Sequence, residues 1–92
     1  PKVQADLFSF TDRGELREGA FADVVVFDPA TVGPGPVRRV RDFPADGERL
    51  TADQPTGMVH TFVNGRAIVR DGRLVESALE ERPGQLVSPA PR

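Results

Sequence analysis

The sequence predicts a mainly β fold, a small β-sandwich or barrel-like domain with a C-terminal three-stranded meander and a short helix remnant at its N-terminus. Three observations carry this reading. A continuous apolar run, Val24-Val25-Val26-Phe27, stands between Asp23 and Asp28 and is closed by Pro29. Two pairs of turn-forming residues, Asn64-Gly65 and Asp71-Gly72, cut the later apolar residues into pieces of strand length. Phe, Val, Leu and Ile supply 6, 12, 6 and 1 of the 92 residues, more than a disordered chain carries.

From Val3 to Phe10 the apolar residues Val3, Leu7 and Phe10 are spaced by four and three, the period of one helix face, and are expected to form the last turns of a helix. Asp12, Gly14 and Gly19 break that period. The run from Val24 to Phe27 lacks polar alternation, so a strand buried on both faces is expected there. From Thr31 to Thr56 no period is visible, and Gly33-Pro34-Gly35-Pro36, Pro44, Gly47 and Pro55 point to a long irregular connection lying against a neighbour.

Val59 to Val63 and Arg66 to Arg70 are expected to pair through a two-residue turn at Asn64-Gly65, whose residues tolerate φ > 0. Asp71-Gly72 repeats the device and leads to a third strand, Arg73 to Glu76. With both turns of two residues, one face would carry Phe62, Ala67, Val69 and Leu74. The other would carry Val59, Val63, Ile68 and Val75. Past Leu79 the sequence suggests an unstructured tail with a short extended contact at Leu86 and Val87. The expected division is a helix and linker over residues 1–11, a composite β-domain over 12–87 and a disordered tail over 88–92.

Composition excludes several functions. With 14 acidic and 12 basic side chains the net charge is −2, which offers nothing to nucleic acid or an anionic membrane. The short basic cluster Arg38, Arg39 and Arg41 alternates with valines and is followed by Asp42, as on a solvated strand edge or loop. No cysteine is present, so disulfides and thiolate metal sites are excluded. Without a membrane span or a signal-like N-terminus, the chain reads as soluble and cytoplasmic. A start at Pro1, lacking an initiator Met, leads us to expect a processed product or an excised fragment.

Candidate chemistry is sparse, and no catalytic, cofactor-binding or metal-binding residue is assigned. A catalytic zinc needs three protein ligands and an open position, whereas the one histidine, His60, lies inside an expected strand. Asp23 and Asp28 bracket a strand whose rise separates them by about 16 Å, too far for shared acid–base work, so each is expected to cap a strand end or turn. The glycines at 14, 19, 33 and 35 form no phosphate-binding loop.

The order of segments says more. Asp12-Arg13-Gly14-x-Leu16-x-x-Gly19-Ala20-x-Ala22-Asp23-Val24-Val25-Val26-Phe27-Asp28-Pro29 resembles the stretch that follows the catalytic barrel in amidohydrolases, closest to the D-aminoacylase (N-acyl-D-amino-acid deacylase) branch. Phe62-Val63-Asn64-Gly65 with Asp71-Gly72 resembles the closing hairpins of the same enzymes, and Arg41-Asp42-Phe43-Pro44 through Thr56-Gly57-Met58-Val59-His60 is similar to their connection. The resemblance runs from about Ala5 to Leu86.

It implies a non-catalytic C-terminal β-domain of a metal-dependent enzyme that hydrolyses amide C–N bonds. The absent barrel would supply the zinc ligands, the catalytic aspartate and most substrate contacts. The expected partners are that barrel and the parent's N-terminal strands, with a homodimer through an exposed sheet edge as a further possibility. The competing reading is a free-standing β module that binds a partner through a sheet edge.

Overall fold

The computed structural model describes residues 1–90. Its elements are α1 (Lys2–Leu7), β1 (Val24–Phe27), β2 (Val37–Phe43), a 3-10 turn (Pro44–Asp46), β3 (Gly47–Ala52), β4 (Met58–Val63), β5 (Arg66–Arg70), β6 (Arg73–Leu74) and α2 (Glu76–Glu81). They form two antiparallel sheets, a four-stranded one in the order β1-β4-β5-β6 and a two-stranded one of β2 and β3. The mainly β class with a short N-terminal helix is as expected; no closed barrel forms among the described residues.

Helix α1 ends where the backbone turns left-handed at Ser9 (φ 60°). The Phe10 N–H donates to the Ala5 carbonyl (2.8 Å) and the Ser9 N–H to the Asp6 carbonyl (3.2 Å), the paired bonds of a Schellman stop. Ala5 is the buried residue of this helix, whereas Val3 and Leu7 are exposed. Gly14, at φ +97°, lets the following loop lie on Ala5, because a Cβ there would sit 2.6 Å from the Ala5 Cβ.

The meander forms at the expected turns. Asn64 and Gly65 have φ of 50° and 78°, Asp71 and Gly72 have 51° and 75°, so both turns hold two consecutive left-handed residues. The face assignment needs correction. Phe62 opposes Ala67, but Thr61 opposes Val69, so Ile68 is an extra residue in a β-bulge. The bulge reverses the alternation, placing Val69 and Leu74 with Thr61 on the face opposite Phe62 and Ala67. The third strand is also shorter than expected. It stops at Leu74, and Glu76-Ser-Ala-Leu-Glu-Glu, rich in helix formers, becomes α2 with Ala78 buried. Of the segment expected as a tail, Pro91 and Arg92 lie outside the described residues, and the Ala90 N–H donates to the Ser9 carbonyl (2.8 Å).

The irregular connection expected over 31–56 is instead largely a β-hairpin, and this is the main correction. Val37, Val40 and Phe43 recur every three residues, which hides the two-residue period of a strand. The pairing of Val37 with Ala52, Arg38 with Thr51, Arg39 with Leu50 and Val40 with Arg49 rests on backbone hydrogen bonds and charge pairs instead of an apolar face. At its base Gly33 and Thr56 exchange backbone hydrogen bonds (3.2 and 3.0 Å) and the Asp53 N–H donates to the Pro36 carbonyl (2.9 Å). Gly35 is buried there because any side chain would strike the Asp53 carbonyl.

Strand β1 departs from its expected burial. It pairs with β4 on one edge only, and Val25, Val26 and Phe27 are 53, 42 and 48% exposed. The same holds throughout: among the described residues the buried hydrophobic ones are Ala5, Ala67 and Ala78, and no large side chain is fully covered. The surface is 7398 Å², against about 5,200 Å² for a compact 10.0 kDa protein. The radius of gyration is 16.3 Å, against about 12 Å for a compact domain of this length.

Candidate functional site

The chemistry-bearing residues take structural places. Asp23, at the start of β1, is the busiest. Its Oδ1 accepts the Asn64 N–H (2.8 Å) and its Oδ2 accepts Nη1 of Arg13 (2.8 Å). Arg13 is held in turn by Asp12 (3.2 Å) and lies over the Phe21 ring, 4.7 Å from its centre. The Gly65 N–H donates to the Ala22 carbonyl and the Phe21 N–H to the Asp12 carbonyl. The two sequence motifs around Asp12-Arg13-Gly14 and Asn64-Gly65 therefore meet in one clamp, which ties the loop before β1 to the β4–β5 turn.

Asp28, at the other end of β1, accepts the Ala30 N–H on Oδ1 (2.9 Å), forming an Asx turn. Both aspartates thus cap strand ends. His60, in β4, accepts the Asp71 N–H on Nδ1 (3.2 Å), with its ring 6.1 Å from Phe62. Among the described residues no three His, Cys, Asp or Glu side chains converge on a common point.

The basic cluster sits on the hairpin arm and is neutralised across it. Arg38 pairs with Asp53, Arg39 with Glu48, and Arg41 with both Asp46 and Glu48. Arg49 grips Asp42 with two parallel bonds of 2.7 and 2.6 Å. Hydrogen bonding to Arg49 holds the Asp42 carboxyl below its ordinary value, and the same bond raises Arg49. Charges this interlocked are a solvated face, as the sequence suggests.

A cavity of about 640 Å³ opens on the Thr61–Val69–Leu74 face, with Met58, Pro55 and Gln54 along it. Sequence reasoning misses it, because the bulge at Ile68 that assembles this face leaves no mark in the alternation. Its walls carry Thr61, Gln54, Arg73 and Glu76 as polar groups, an arrangement suited to contact and holding no nucleophile–base pair. No described helix is long and apolar enough to cross a membrane.

Comparison with known proteins gives the chain two relatives. The chain is 36% identical over 89 residues to an N-acyl-D-glutamate deacylase of Alcaligenes xylosoxydans xylosoxydans, covering 92% of this chain and 14% of that enzyme. It is 38% identical over 87 residues to an N-acyl-D-aspartate deacylase of the same organism, covering 95% of this chain and 15% of that enzyme. No family model matches, and no solved structure matches. The chain thus spans about 14 to 15% of the length of the curated relatives it matches. Over nearly all its own length it is similar to one stretch of N-acyl-D-amino-acid deacylases, as its ordered motifs imply.

Proposed function

We propose that this chain is the non-catalytic C-terminal β-domain of a metal-dependent amidohydrolase that cleaves the amide C–N bond of N-acyl-D-amino acids. The relatives' names, a glutamate and an aspartate deacylase, favour acidic amino acids as the parent's substrates. The observation that carries the proposal is the surface left uncovered, with Val25, Val26 and Phe27 of β1 among the exposed large hydrophobic residues. About 2,200 Å² of accessible area in excess of a compact protein is what one side of a large permanent interface loses on assembly. A domain within a larger enzyme loses that area to its neighbours. A free-standing module would have to leave it in water.

Zinc, in this reading, is held by the rest of the enzyme. The donors of this chain do not fit it, because the Nδ1 of His60 is occupied by the Asp71 N–H and no group of three metal-binding side chains forms among the described residues. The domain's role is to cover and brace the catalytic body. The free edge of β1 takes a strand from the parent's N-terminal region, which a second copy replaces when the chain is alone. We place the enzyme in the cytoplasm.

Light scattering and dye binding on the isolated chain test the reading. We expect self-association that rises with concentration, binding of a hydrophobic dye, and no hydrolysis of N-acyl-D-glutamate with or without added zinc. A monodisperse folded monomer that binds no dye would overturn it and favour the free-standing module.

A further inference from the structure

Among the described residues three arginines stand outside the ion pairs, Arg82 past the end of α2 and Arg70 and Arg73 on neighbouring strands. Lys2, Arg13, Arg17, Arg38, Arg39, Arg41, Arg49 and Arg66 each hold a carboxylate. Arg70 and Arg73 hold none among the described residues, although they stand directly opposite each other across β5 and β6. Like charges placed face to face on an antiparallel pair repel, and Asp71, in the turn between them, pairs with neither. Beside that turn His60 accepts the Asp71 N–H on Nδ1, which in the neutral ring fixes the proton on Nε2. Arg70 and Arg73 are thus paired in register beside the turn that His60 holds, two cationic side chains with no carboxylate bound to either among the described residues.

We infer that Arg70 and Arg73 form the seat for a carboxylate belonging to the protein surface that covers this part of the sheet in the complete enzyme. The inference rests on the proposed membership of a larger enzyme. It commits to an acidic side chain of that same polypeptide, because charge complementarity turns the repulsive pair into a two-forked clamp. Paired this way, either arginine alone would hold the acid less well than both.

The test compares Arg70→Gln, Arg73→Gln and the double variant in the complete enzyme at low salt. Each single change is expected to lower the melting midpoint by about 2 °C or more, the double variant to fall by less than the sum, and high salt to narrow the differences. A midpoint that stays or rises on either single change would show that the arginines merely repel, and would overturn the inference. Saturable stabilisation of the unmodified enzyme by free glutamate, abolished by Arg70→Gln, would also overturn it, since the seat would then be open to solvent. Failure in these comparisons leaves the domain assignment untouched, which rests on the behaviour of the isolated chain.

Discussion

Replacing Asp23 by Ala should loosen the β4–β5 turn from a distance of 41 residues in sequence. The substitution removes two charge-assisted hydrogen bonds of 2.8 Å, from the Asn64 N–H and from Arg13. A fully buried pair would contribute about 3 to 6 kcal/mol. The Asp23 side chain is 34% exposed and Arg13 18% exposed, so water restores part of this, and a net loss of about 2 kcal/mol is expected. Hydrogen exchange at the Asn64 amide in the complete enzyme reads it, with exchange about 30-fold faster. Asp23→Asn can retain the acceptor for Asn64 while losing the charge, so its effect should be roughly half as large in free energy. Unchanged exchange in Asp23→Ala, or equal acceleration by Asn and Ala, would refute the clamp.

Gly57→Ala should be far more damaging than an ordinary surface change. The added Cβ would lie 2.4 and 2.5 Å from the Val32 N and Cα at φ +74°, and chemical denaturation is expected to show a loss of about 3 kcal/mol or more; wild-type stability would refute the close approach. The Asp42 carboxyl should titrate below its ordinary value of 3.8. Because the folded value is depressed, the stabilisation is present above the unfolded value and fades as pH falls through the folded one. Carboxyl NMR titration checks this, with Arg49→Gln expected to return Asp42 to the ordinary range. Titration of unmodified Asp42 at or above 3.8 would contradict the pairing.

What could be read from the sequence was local in cause. Asn64-Gly65 and Asp71-Gly72 declare their turns because left-handed backbone restricts residue type at those positions alone. Asp28 is legible as a cap for a local reason too, since its short carboxylate reaches the Ala30 N–H two residues on, whereas the position of Asp23 before a strand predicts a cap without naming its distant partner. The hairpin arm is not legible, because Val37, Val40 and Phe43 mimic neither strand nor helix and its cohesion comes from charge pairs across the strands. The bulge at Ile68 and the short helix after Leu74 depend on pairing partners and chain direction, which no alternation of apolar residues records. The apolar run of β1 predicts a strand buried on both faces, and within this chain Val25, Val26 and Phe27 stay exposed. The clamp joining Arg13, Asp23 and Asn64 was visible only as two motifs, since nothing in either one names the other as its partner.

The closed base of the hairpin arm bears on the order of assembly. Strands β1 and β4 must find each other across residues 28–57, and a loop of that length carries an entropic cost that grows with the logarithm of its size. The arm is itself a local hairpin of the kind that forms in about 1–10 μs. Once Gly33 and Thr56 are bridged, the ends that must meet are only a few residues from the pairing site. An arm that closes first would shorten the search, and β1 is then expected to dock late, onto a β4–β5 hairpin already formed. Lengthening the arm at its tip, around Ala45, should therefore leave the rate of β1 docking almost unchanged, whereas opening its base at Gly35 should slow it.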